Sequence, residues 1–206
     1  MTPSATGTHS KGDQRRAALL GSLDELLHDS SLESISIADI SRRAGVTRSA
    51  FYFYFENKAV AVAALMEEMY DESFAAADLL SGEGTPAERI EGMVRSLFDS
   101  FDRHEHLYRA MLEARAESPA VRQLWDADRE SFVPVIADLI DTERSAGRAP
   151  AGPSSATLAG VLLELNDRML ERLALGGPLS RDELVAGVVH VWLSTIYGAA
   201  APEEDR

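Results

Sequence analysis

An all-α fold is predicted for this chain of 206 residues from three observations. Apolar residues recur at three- and four-residue spacing along nearly its whole length. Ser, Thr or Asn residues stand where helices would begin, and Gly/Pro clusters stand where they would end. The pattern divides into an N-terminal helix-turn-helix domain of three helices, at residues 13–58, and a larger helical body at 59–199. Residues 1–12 and 200–206 read as a disordered arm and tail.

Leu19, Leu23, Leu26 and Leu27 form an i, i+4, i+7, i+8 stripe, which predicts an amphipathic helix over 13–28. Ser36 with Asp39 three residues later is a capping-box pair, so a second helix covers about 36–43, with Ile37, Ile40 and Ala44 on one face. Gly45 supplies the positive φ of a tight turn, Val46 fills the elbow, and Thr47 caps a third helix reaching about Tyr54. Two short helices around such a turn, the second carrying Arg48, Ser49 and Tyr52 outward, have the layout that enters a DNA major groove. Phe51 and Phe55, one turn apart, are expected in the core of this small domain.

The body starts with a long helix after Asn57, running through Val60, Leu65, Met69 and Phe74 to the breaker at Ser81–Pro86. Pro86 opens the next helix, which carries Ile90, Met93, Leu97 and Phe101. A shorter helix covers 105–116. Ser118-Pro119 then starts one that extends to about Ala146, in which Pro134 is expected to make a bend or open a local gap in the bonding ladder. After the loop at 147–153 come two apolar helices, at about 156–175 and 182–197. The last is apolar on more than one side, which predicts burial against its own body and against a second copy in an isologous contact; a fully internal helix in a monomer is the alternative.

Composition narrows the function. There is no cysteine, which excludes disulfides and thiolate chemistry, and no apolar run reaches membrane-spanning length. The polar start without an apolar stretch points to a cytoplasmic setting. The net charge of −14 opposes DNA binding, but it is unevenly placed. Residues 1–60 hold seven basic and seven acidic side chains, whereas 61–206 hold 13 and 27. The neutral head, with Arg42, Arg43, Arg48 and Lys58 near the turn, is able to meet phosphates while the acidic body faces away.

The run Ile40-Ser-Arg-Arg-Ala-Gly-Val-Thr47, with Phe51-Tyr-Phe-Tyr-Phe55 and Lys58 after it, resembles the signature of the TetR family of bacterial repressors. The resemblance implies a nine-helix homodimer with DNA-binding heads, a ligand-binding body, and a dimer contact through the last two helices. Carried onto this chain, it places Ser36 and Thr47 on phosphates, Arg48 and Ser49 at base edges, and Tyr52 on a base or phosphate. Tyr54 and Lys58 would hold the DNA backbone. Arg42 and Arg43 are as readily solvated as phosphate-bound.

The C-terminal half is also similar to one mycobacterial member of that family, through Leu139–Arg144, Leu165–Leu170 and Val189–Gly198. That similarity implies an apolar tunnel closed by aromatics, with Asn166 offering its amide to a small apolar effector that carries a carbonyl. Leu163 stands where the relative has a second asparagine, and Phe132 and Ile90 stand where it has tryptophans. Independently, Val121, Trp125, Asp128, Phe132, Val135 and Leu139 share one helix face, so Asp128 interrupts an apolar stripe and needs an ion pair, water or a ligand donor. Leu97, Phe101, Trp125, Asp128, Phe132, Leu163, Asn166, Leu170 and Trp192 are the candidate effector residues.

No cofactor or metal site is expected. His104 and His106 are two apart and point to different sides of a helix, and no nucleotide-binding or hydrolase motif occurs. A helical carrier or enzyme with a vestigial helix-turn-helix, and an activator in place of a repressor, remain the alternatives.

Overall fold

The computed structural model describes residues 11–198. Among them it contains no strand and eleven α-helices. The head is α1 (Lys11–Leu27), α2 (Ile37–Arg43) and α3 (Arg48–Tyr54); α4 (Lys58–Leu65), α5 (Glu67–Asp78), α6 (Pro86–Arg103) and α7 (Glu105–Glu117) follow. The chain closes with α8 (Pro119–Ser131), α9 (Val133–Ser145), α10 (Ser155–Ala174) and α11 (Arg181–Tyr197). Single residues, Met66 and Phe132, separate α4 from α5 and α8 from α9. Counted as two interrupted rods, these pairs give the nine helices expected. The predicted arm and tail lie outside the described residues, apart from Lys11 and Gly12, which already belong to α1.

The helix starts follow local chemistry. Ser36 Oγ accepts from the Asp39 N–H while Asp39 reaches back to the Ser36 N–H, and Thr85 with Glu88 and Ser180 with Glu183 repeat the device. Pro134 has no N–H to give to the carbonyl four residues back. The ladder therefore opens at Phe132, whose N–H turns to Arg129 O at 3.2 Å, and Pro134 falls in the first turn of α9.

The interruption at Met66 departs from the continuous helix that the sequence pattern predicts. No glycine or proline marks it. The Met66 N–H bonds Ala63 O at 3.2 Å, one step tighter than an α-helix, and the Met66 side chain is fully buried. Tertiary packing around that side chain overrides the local pattern there.

Two apolar cores hold the molecule. The first runs from Leu19, Leu23, Ile40 and Phe51 in the head, through Val62 and Met66, to Tyr108, Met111 and Trp125. The second joins Ile90, Val94 and Phe98 of α6 to Ile140, Leu162, Val188 and Trp192. The head is therefore not tethered by a linker at residue 58, because its core continues into α4 and α7.

Candidate nucleic-acid interface and body cavity

Gly45, at φ 66°, makes the turn between α2 and α3. Thr47 caps α3 by accepting from the Ala50 N–H at 3.2 Å. With Phe51 buried on the inner side, the outer side presents Arg48, Ser49 and Tyr52 to solvent, and Tyr54 is half-buried. Phe53, 80% exposed and edge-on to Tyr54, joins this surface. The helix pitch predicts that exposure, since Phe53 lies opposite the buried pair Phe51 and Phe55, but the sequence reading did not count it. Arg42 pairs with Asp39 and Arg43 with Glu25, so both basic side chains already have partners.

Lys58 differs from its expected role. Its ammonium donates to the carbonyls of Leu32, Glu33 and Ile35, the last two at 3.1 and 3.2 Å. A lysine has three N–H donors, so none is left over for a phosphate. The side chain instead clamps the α1–α2 loop that ends at the Ser36 cap. From the other side, Glu113 of α7 accepts the Glu33 N–H at 2.9 Å, so the same loop is gripped by the body.

The body encloses a narrow cavity of about 110 Å³. Its walls come from α5 (Met69, Tyr70, Ser73), α6 (Met93, Leu97, Phe101), the α8–α9 rod (Trp125, Arg129, Phe132, Ile136) and α10 (Leu163, Asn166, Asp167, Leu170), with Met66, Tyr108 and Trp192 closing it. Eight of the nine candidate effector residues line it. Asp128 does not, and it forms no ion pair among the described residues. It faces the Tyr70 hydroxyl from outside the lining: burial first, then this carboxylate, raises the hydroxyl's pKa.

The buried charge that the sequence reading assigned to Asp128 is carried by Asp167. Its carboxylate accepts from Trp125 Nε1 at 2.9 Å and Arg129 at 3.2 Å. Burial raises its pKa, and those two donors partly offset the rise. Asp167 escaped notice because it follows Asn166 directly, where a polar neighbour reads as solvent-facing.

Asn166 is buried, and its Oδ1 accepts from Trp192 Nε1 at 3.0 Å. An indole N–H only donates, so the amide orientation is fixed and its NH₂ is left without a protein partner among the described residues. The Tyr70 hydroxyl, also on the wall, is buried, with the Asp128 carboxylate as its nearest acceptor. An otherwise apolar cavity thus holds one unspent donor, the Asn166 NH₂, beside one guarded carboxylate.

Comparison with known proteins agrees with this geometry. Residues 20–65 match the family model described as bacterial regulatory proteins, tetR family, and residues 90–198 match the C-terminal domain of transcriptional regulator EthR. The HTH-type transcriptional regulator EthR of Mycobacterium tuberculosis is 33% identical over 193 residues, covering 91% of this chain and 89% of the relative. The EthR of Mycolicibacterium smegmatis is 32% identical over 191 residues, covering 91% and 88%. Among solved structures, a TetR-family regulator from Streptomyces coelicolor superposes with a TM-score of 0.63 at 22% identity, covering 87% of this chain and 81% of its own. FadR of Thermus thermophilus, a TetR-family repressor in complex with lauroyl-CoA, does so with 0.68 at 18% identity, covering 93% and 98%. With both family models matched and a relative so similar along nearly its full length, the protein belongs to the TetR family of bacterial transcriptional regulators, a family of DNA-binding proteins rather than enzymes.

Proposed function

We propose that the protein is a homodimeric repressor, acting in the cytoplasm, that leaves its operator when a small apolar effector fills the body cavity. The observation that carries this reading is the presence, in one chain, of an outward-facing α3 and an apolar cavity with an unspent hydrogen-bond donor on Asn166. Arg48, near the start of α3, is positioned to fork onto guanine O6 and N7, and Tyr52 and Phe53 beside it offer ring contacts to bases or sugars. Ser36, Thr47, Ser49 and Tyr54 surround it as backbone or base contacts. The Ser36 hydroxyl is spent on Asp39, so the helix-end N–H groups are the better phosphate donors there, whereas the Thr47 hydroxyl only accepts in its cap and keeps its O–H for a phosphate.

The effector class follows from the cavity wall. Asn166 NH₂ suits a hydrogen-bond acceptor such as a carbonyl, and the remaining wall suits an apolar chain or ring system. FadR, which shares the fold, holds an acyl-CoA in its solved complex. Transmission to the head has a physical route, because Lys58 of α4 and Glu113 of α7 both grip the loop that leads into α2. An effector that needs a wider cavity shifts those helices, and it releases DNA only as far as it binds the wide state better.

Val161 on α10 and Val191 on α11, 59% and 40% exposed, support these helices as the contact between copies.

Fluorescence anisotropy with the DNA flanking the protein's own gene tests the reading. The wild type should bind a specific fragment at physiological salt. Arg48→Ala should lose about 1–3 kcal/mol there and discriminate less against a substituted site. Equal binding by the variant removes Arg48 from base reading.

A further inference from the structure

Away from the recognition helix and the cavity, a solvent-open cleft of about 670 Å³ lies between the head and α7. At its edge three metal-ligating side chains from two elements come together. Asp24 and His28 stand one helical turn apart at the end of α1, and His106 projects from the first turn of α7. Their ligand atoms all lie within 4.8 Å of one another. His106 Nε2 is 2.8 Å from Asp24 Oδ1, and the two imidazoles stack with centroids 3.7 Å apart.

We infer that Asp24, His28 and His106 form a binding site for a divalent transition metal of the zinc class, tying the DNA-binding head to the body. The donor set of two imidazoles and one carboxylate suits Zn²⁺, Co²⁺ or Ni²⁺ and disfavours Mg²⁺ or Ca²⁺, which prefer all-oxygen shells. Metal–ligand bonds of about 2.0–2.2 Å set tetrahedral donor separations of roughly 3.5 Å, so His106 and Asp24 have to open slightly from 2.8 Å while the His28 donor moves in. His28 is exposed, and binding would turn its ring out of the stack on His106 so that both imidazoles aim a nitrogen at one point. The local field also favours a cation. Asp29 opens on the same cleft, while its two arginines are engaged, Arg103 by Glu72 and Arg109 by Glu105. A metal bound here fixes the end of α1 against the start of α7.

The test is Co²⁺ titration of the tag-free, chelator-treated full-length protein, followed by visible d–d absorption. The site predicts a band that saturates at one Co²⁺ per chain. His28→Asn, at an exposed position, and His106→Gln should each weaken binding tenfold or more, while His104→Gln leaves it unchanged. A titration with no band, or His28→Asn and His106→Gln proteins that bind Co²⁺ like the wild type, overturns the assignment. No DNA enters this measurement, so its failure is separate from failure of the repressor reading.

Discussion

Lys58 makes a sharp prediction because it has been moved from one job to another. A phosphate contact would be neutralising, so its loss would lower the salt slope of operator binding by about one unit. A clamp on three carbonyls instead contributes to folding. Lys58→Ala should destabilise the protein by about 2 kcal/mol in urea melts and leave the salt slope unchanged. A slope reduced by one unit would show that the ammonium leaves its carbonyls in the complex. Glu143 gives a second case. Its side chain is 2% exposed, with Arg148 on both oxygens at 2.8 Å and Arg89 at 3.8 Å. The Arg148 hydrogen bonds lower its pKa below the usual 4.5, so the stabilisation is present above that pH and is lost as pH falls through the folded value. Glu143→Gln should cost about 2 kcal/mol at pH 7, below the range for fully buried pairs because Arg148 rehydrates. Its melting temperature should converge with that of the wild type in acid.

Helix boundaries in this protein are written locally, and interiors of the body are not. Ser36–Asp39, Pro86, Ser118 and Pro134 act within a turn of themselves, and each helix start or break they predict is where the structure has it, to within about two residues. The same holds for α3, whose outward residues follow from Gly45, Thr47 and the burial of Phe51. Met66 carries no such mark, and its break depends on packing from distant elements. Asp167 and Asp128 look alike in the sequence, both polar residues beside apolar stripes, and only the relative rotation of α8 and α10 decides which faces the cavity. His106 and Asp24 meet across 82 residues, beyond any periodicity. For α10 and α11, Val191→Glu should leave the fold intact but turn a dimer into a monomer in sedimentation velocity, because it would place a charge in the proposed apolar contact. A variant that remains dimeric would move the contact elsewhere.

Taken whole, the molecule separates its charges as it separates its tasks. The neutral first 60 residues carry the face that would meet DNA, and the acidic remainder would discourage contacts elsewhere. A continuous core from α1 to α8 packs the head directly on the body, which suits control by a cavity far from the recognition helix. All of this depends on two heads held at one spacing. Hydroxyl-radical footprinting of the DNA flanking its own gene measures that spacing directly. Two protected half-sites are expected, with centres one helical turn apart, roughly 34–36 Å, or a whole multiple of it, both lost when effector is added. A single protected patch, or none at low salt, would contradict that arrangement.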